Sequence, residues 1–211
     1  MVREVVRLVS SKYYEKEVVV FGLGHYVKKG DGKNPFSRKT WYFYDKGYYK
    51  KFIEDKASYL FDLRVKNSFN PDFITIMPSS KKDSVNSNLK ELAEYLSNES
   101  KISYTQVLRR NKDIKKTHES KSASDRRENV KESIDITRDV YGKRILLLDN
   151  VCISGTSILY CANLLLENGA EEVVGFCLGL SSQGTVDDLE DLDETLKYSE
   201  IKRKLLGVDM G

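Results

Sequence analysis

In "ILLLDNVCISGTS", residues 145–157, four apolar residues run into Asp149 and Asn150, and a loop of small and hydroxyl-bearing residues follows. A short loop that feeds a helix N-terminus exposes several backbone N–H groups at one point. With the positive end of the helix dipole, those groups suit a phosphate monoester. Ile153, Ser154, Gly155, Thr156 and Ser157 are the candidate cup. Gly155 removes a side chain where a phosphate must approach the backbone, and the three hydroxyls add donors. Asp149 cannot bind phosphate, because two anions repel; it suits ribose hydroxyls or a developing cation. An acid followed by a phosphate cup describes a ribose 5-phosphate. No Gly-Lys-Ser/Thr string exists, which excludes a Walker A loop. The plainer reading of the same residues is a strand–turn–helix connection, in which Asn and Ser are common.

A second unusual loop lies upstream. "FITIM" (73–77) is a short apolar run ended by Pro78, and Ser79, Ser80 and Lys81 follow it. Alone this says little, since Pro and Ser end many strands; paired with the first loop it becomes a second anion-binding candidate. The elements around both loops follow from apolar spacing. "RILLLDNV" (144–151) and "EVVGFCLGL" (172–180) read as buried strands, with an apolar helix over 157–169 between them. Val85, Leu89, Leu92, Ala93 and Leu96 mark another helix, with Asp83 or Ser84 as its cap. "ISYTQVL" (102–108) is a strand candidate, and 47–69 has helical spacing. Alternating strands and helices of this kind predict an α/β fold, a mostly parallel sheet flanked by helices. In such sheets ligands sit beyond the carboxyl ends of the strands. Turn chemistry at 28–35 between "EKEVVVFGLGHYV" and the aromatic run "TWYFY" predicts an N-terminal hairpin over 17–44.

Composition sets the limits. The chain has 211 residues and a formal charge of only +3 from 35 basic and 32 acidic side chains, so no global basic field proposes nucleic acid. Charge is local instead. Arg109 to Arg127 holds eight Lys/Arg against three Asp/Glu, and 187–194 holds six acids in eight residues. The basic segment has no period and reads as a loop, functionally a lid that keeps water from a reacting carbon. Cys152, Cys161 and Cys177 lie in apolar segments without metal-ligand spacing. No run reaches the ~18 apolar residues of a membrane span, and charge interrupts the N-terminus too early for a signal peptide. The expectation is a cytoplasmic protein with three parts: a hood over 1–46, an α/β core over 47–182, and an acidic then basic tail over 183–211.

The quoted residues carry a resemblance. "ILLLDNVCISGTS" resembles the phosphoribosyl pyrophosphate signature of type I phosphoribosyltransferases, and "TIMPSSKK" is similar to their pyrophosphate-binding loop. The segment 107–136, with Arg126 and Arg127 before Glu128-Asn129-Val130, resembles the ComF-type, competence-associated branch. The resemblance spans roughly residues 47–180. It implies a Mg²⁺-dependent transfer of phosphoribosyl to an unidentified base. Asp149 and Asn150 would take the catalytic position, with Asp149 meeting the metal through ribose and water. Ser79, Ser80 and Lys81 would hold pyrophosphate, and Arg109, Arg110, Lys115, Lys116, Arg126 and Arg127 would form the lid. A second copy of the chain and nucleic acid are candidate partners, the latter because ComF-type proteins are associated with DNA uptake. Two departures stand out: Asn150 replaces the usual second acid, and the aromatic hairpin stands where many ComF-type proteins carry a four-cysteine zinc element. The first departure motivates a rival reading, a regulatory protein that binds phosphoribosyl groups or nucleotides without turnover.

Overall fold

The structure, a computed structural model, describes residues 4–11, 13–27, 34–66, 68–115, 128–181, 187–188, 200–201 and 203. Along the chain run β1 (Val5–Val9), β2 (Val18–Gly22), β3 (His25–Tyr26), α1 (Pro35–Lys46) and α2 (Lys50–Leu60), the last passing into a π-helical segment (Phe61–Lys66). Then come β4 (Phe73–Ile76), α3 (Ser87–Ser100), β5 (Ser103–Tyr104), β6 (Leu108–Arg110) and β7 (Ile134–Ile136). β8 (Arg144–Cys152), α4 (Thr156–Glu167), β9 (Glu172–Ser181) and β10 (Asp187–Asp188) complete the series.

The central sheet has the order β10-β1-β2-β9-β8-β4-β5, with β3 also against β9; β6 and β7 form a separate antiparallel pair. From β2 to β5 every pairing is parallel, and only β1 and β10 run antiparallel to their neighbours. This is the predicted α/β fold with a mostly parallel sheet flanked by helices. The apolar run of β8 explains why it needs cover on both sides: Leu146 and Leu148 join one buried cluster, Ile145 and Leu147 the other. The first cluster includes Ile53 and Ala57 of α2 and Leu89 and Leu92 of α3. The second includes Ile158, Ala162 and Leu165 of α4.

That division locates the site. The β4–α3–β5 crossover places β5 on one side of β4, over the first face. The β8–α4–β9 crossover places β9 on the opposite side of β8, over the second face. Adjacent parallel strands whose connections leave in opposite directions open a crevice beyond their carboxyl ends. The last link between the two strands is Met77 N–H donating to the Leu148 carbonyl at 2.9 Å. Past it β4 turns away, while β8 continues beside β9 to Cys152.

Several expectations are corrected. The run 40–44 belongs to helix α1, so there is no aromatic hairpin over 17–44. Aromatic enrichment favours strands only weakly, and stronger local signals prevail here. Asn34 caps the helix by accepting the Ser37 N–H at 3.0 Å, Pro35 stands at its start, and Gly47 ends it with φ 71°. Phe36, Thr40 and Phe43 then share one buried face. β1 and β2 continue the central sheet. The cap of α3 is Asn86, which accepts the Leu89 N–H at 2.9 Å, not Asp83 or Ser84. The run 102–108 is broken between β5 and β6. In the tail, Asp187 and Asp188 pair with β1 and Ile201 is fully buried in the first cluster.

Candidate functional site

Asp149 is the first residue of β8 beyond the reach of β4, on the wall of the crevice. Burial pushes its carboxyl up to about 7, against the pull of the Asn150 N–H, which donates to it at 2.7 Å, and of the Arg110 guanidinium. Tyr44 of α1 is close enough to feel the charge: burial and Asp149 together push its phenol up to about 12. A carboxyl that titrates near neutrality at a switch point is a functional-site candidate with a physical cause. Asn150 differs. Its side-chain oxygen accepts the Val151 N–H at 2.6 Å, so it is turned back onto its own strand.

The loop after β8 carries hydroxyl groups on its outer surface. Thr156 opens α4, its N–H reaching the Ser154 hydroxyl at 3.5 Å, and the cap residue Gly155 has no side chain to offer. The Ser154 and Thr156 hydroxyls lie 3.0 Å apart, and Ser154 is exposed. Ile153 contributes its carbonyl to the underside of the loop, where Arg7 donates to it at 3.0 Å. Gly155 plays another part than the one expected. It is buried, with φ 79°, and a Cβ there would lie 2.2 Å from Val9 Cγ1. The missing side chain lets β1 approach from inside as well as fitting a left-handed backbone.

Ser79, Ser80 and Lys81 follow the end of β4, and hydrogen bonds knit their segment closely. Ser79 N–H donates to the Ser84 carbonyl at 2.9 Å, and Ile114 N–H to the Ser80 carbonyl at 2.9 Å. Arg110 Nε donates to the Ser79 carbonyl at 2.9 Å, and Arg110 also reaches the Ser133 hydroxyl. Arg110 is therefore a buried strut of strand β6, not a lid residue, and burial lowers its guanidinium. Its neighbour Arg109 is also in β6, exposed, and pairs with Asp135 at 2.8 Å. The lid expectation took 109–127 as one loop because its composition is polar throughout. The alternation that buries Leu108 and Arg110 and exposes Arg109 is too short to register as a period.

Asp113 was not singled out in the sequence, and it lies at the heart of this segment. Its carboxylate accepts the Lys82 N–H at 2.8 Å and pairs with the Lys81 ammonium at 3.0 Å. The Lys82 N–H, then Lys81, hold Asp113 below the usual carboxylate range. Asn129 grips the backbone of Lys115 twice, accepting its N–H at 3.1 Å and donating to its carbonyl at 2.6 Å. Lys116, Arg126 and Arg127 lie outside the described residues.

No protein-family model and no curated protein matches the sequence. Among solved structures, a purine phosphoribosyltransferase from Pyrococcus horikoshii Ot3 is similar at 18% identity and a TM-score of 0.41, over 65% of this chain and 79% of that one. An allosteric regulatory enzyme of purine biosynthesis is similar at 20% identity and a TM-score of 0.42, over 74% of this chain and 33% of that one. This chain thus spans about a third of the second protein's length. Such distant likenesses assign no activity, and the site stands on its own geometry.

Parallel pairing of β4 with β8 puts the 79–81 and 149–157 segments at the same end of the sheet, and Arg110, bonded to the Ser79 carbonyl, also feels the Asp149 charge. Among the described residues no cluster of three His, Cys, Asp or Glu could cage a metal ion, and no helix is long and apolar enough to cross a membrane. Arg38 and Tyr42 of α1, with Tyr48 and Tyr49 of the link to α2, line an open hollow of about 370 Å³.

Proposed function

We propose that this chain is a phosphoribosyltransferase that takes phosphoribosyl pyrophosphate and passes the ribosyl group to a base. One observation carries the reading: the switch-point crevice has a carboxyl raised to about 7 on one wall, and seven residues further along the chain Thr156 opens a helix whose cap residue is a glycine. The 5-phosphate would take the N–H groups and hydroxyls at Thr156 and Ser157, with Ser154 beside them. The ribose hydroxyls would lie on Asp149, and the diphosphate on Ser79, Ser80 and Lys81. When the bond from the anomeric carbon to the diphosphate breaks, the ribose gains positive charge and Asp149 opposes it with negative charge. Arg110 fixes the Ser79 carbonyl, so the diphosphate loop is already in place before substrate arrives.

Mg²⁺ fits this site as a companion of the substrate. Asp149 would meet it through ribose and water. When bound, the ion would neutralise part of the diphosphate charge; the residues of the chain would bind, orient and shield. Three unbridged cysteines support a reducing, cytoplasmic setting. The reading requires neither nucleic acid nor a second copy of the chain.

One observation favours a second reading, a protein that binds the phosphoribosyl group without turnover. Asn150 stands where a second acid would be, and its oxygen is engaged by Val151. Pyrophosphate release from phosphoribosyl pyrophosphate with Mg²⁺, across a panel of purine and pyrimidine bases, separates the two. Release with any base supports the enzyme. Saturable binding with no release across the panel supports the binding protein, and no binding removes both.

A further inference from the structure

Strand β1 reads Val-Val-Arg-Leu-Val, and its alternation puts Arg7 on the same face as Val5 and Val9, toward the cluster that contains α4. An apolar residue would ordinarily fill this position, since burying a guanidinium costs several kcal/mol unless its donors are used. Arg7 is 4% exposed. Its Nη1 donates to the Ile153 carbonyl at 3.0 Å and to the Ser181 carbonyl at 3.3 Å, and its Nη2 to Cys152 Sγ at 2.8 Å. The same Nη2 lies 3.3 Å from where a Cβ of Gly155 would stand. The last residue of β8, the first residue of the loop and the end of β9 are thus fastened to one planar group from beneath.

The charge is as informative as the bonds. Gly155 is the cap residue of α4, so Arg7 brings a positive charge close under the positive end of a helix dipole. A guanidinium there adds to the positive potential of the helix start. An anion over Thr156 and Ser157 is attracted by both the dipole and the guanidinium. We propose that Arg7 is the positioning residue for the 5-phosphate, holding the 152–155 loop open from inside and adding its charge once the phosphate is seated. This rests on the phosphoribosyl reading above.

The test is calorimetry on the full chain with two probes, ribose 5-phosphate and inorganic pyrophosphate, comparing the parent with Arg7→Lys. An ammonium keeps the charge but cannot reach three acceptors in a plane. Arg7→Lys should lose ribose 5-phosphate affinity by at least about tenfold, the loss expected for a charge-assisted contact, and keep pyrophosphate affinity. Equal affinity of variant and parent for ribose 5-phosphate overturns the inference, and so does an equal loss for both probes, which is what a merely structural role would give. A parent that binds no ribose 5-phosphate overturns the phosphoribosyl reading and this inference together. If Arg7→Lys does not fold, the ¹⁵N guanidinium signals of Arg7 in the parent decide. They should shift on titration with ribose 5-phosphate and not with pyrophosphate; no shift overturns the inference.

Discussion

The Asp113 carboxylate accepts the Lys82 N–H and holds the Lys81 ammonium 3.0 Å away, so an acidic side chain of the protein occupies donors that the proposed diphosphate needs. The pair is exposed, and an incoming diphosphate with more charge would displace it. Asp113→Ala should therefore strengthen pyrophosphate binding, by up to about fivefold given the small worth of exposed ion pairs. Calorimetric titration checks this. Weaker binding would mean that Asp113 shapes the loop rather than competing for it.

Arg110 should be less forgiving. It is buried and holds the Ser79 carbonyl and the Ser133 hydroxyl, so Arg110→Ala leaves both without their donor. The expected cost is about 2–3 kcal/mol in chemical denaturation, the range for hydrogen bonds to a charged group. Pyrophosphate affinity should fall in the folded fraction, because the loop it fixes carries the binding groups. Unchanged affinity would show that the loop keeps its shape unaided.

The stability of the protein should report Asp149 through pH. Its carboxyl titrates at about 7 when folded and near 3.8 when unfolded. At pH below both values it is neutral in both states and costs nothing. As pH rises between them the unfolded chain ionises first, so folding is progressively disfavoured until the folded value is passed. Asp149→Asn should therefore match the parent near pH 4 and exceed it above pH 7, by no more than about 4 kcal/mol. Urea unfolding of both proteins in chelator across pH 4–8 measures the difference; a constant gap would count against the raised value. In pyrophosphate release the same variant should be slower by roughly 10²–10³.

Gly155→Ala tests the approach of β1. The new Cβ would meet Val9 at 2.2 Å and demand a left-handed backbone, so a loss of about 1–3 kcal/mol is expected. Adding Val9→Ala should recover the steric part and leave the backbone part. A double-mutant cycle from thermal unfolding gives the coupling; zero coupling would mean that the two residues do not contend for the same space.

Asn150→Asp returns a second carboxylate to the crevice. If the protein is a weakened enzyme, pyrophosphate release should rise by about tenfold, within what one electrostatic group contributes. A fall, with binding intact, would favour the binding protein.

Much of this site was legible because it depends on chain-local order. Strand, acid, small loop and helix are consecutive in 145–167, and the apolar runs of β8 and β9 announced burial on both faces. What escaped was set by long-range neighbours. Nothing near Arg7 in sequence tells that it lies under residues 152–155, and Gly155 looked open because Val9 is almost 150 positions away. Asp113 was hidden in a basic run whose summed charge concealed one acid in the decisive place. Helix α1 is a different case, since Asn34, Pro35 and Gly47 are local signals, but the turn-forming residues at 28–35 just before them point equally to a hairpin.

The two-residue pairing of β10 with Val5 and Val6 has a bearing on how the protein behaves at high concentration. β1 is a valine-rich strand on the outer side of the sheet, and an uncovered strand of that kind templates pairing with other chains. The backbone of Asp187 and Asp188 occupies part of that edge, and at the far side β5 is itself only two residues long. A chain cut after Ser181 would lose this cover, along with Ile201 from the first cluster, and it would present β1 to its neighbours; self-association through that strand would set the limit on its solubility.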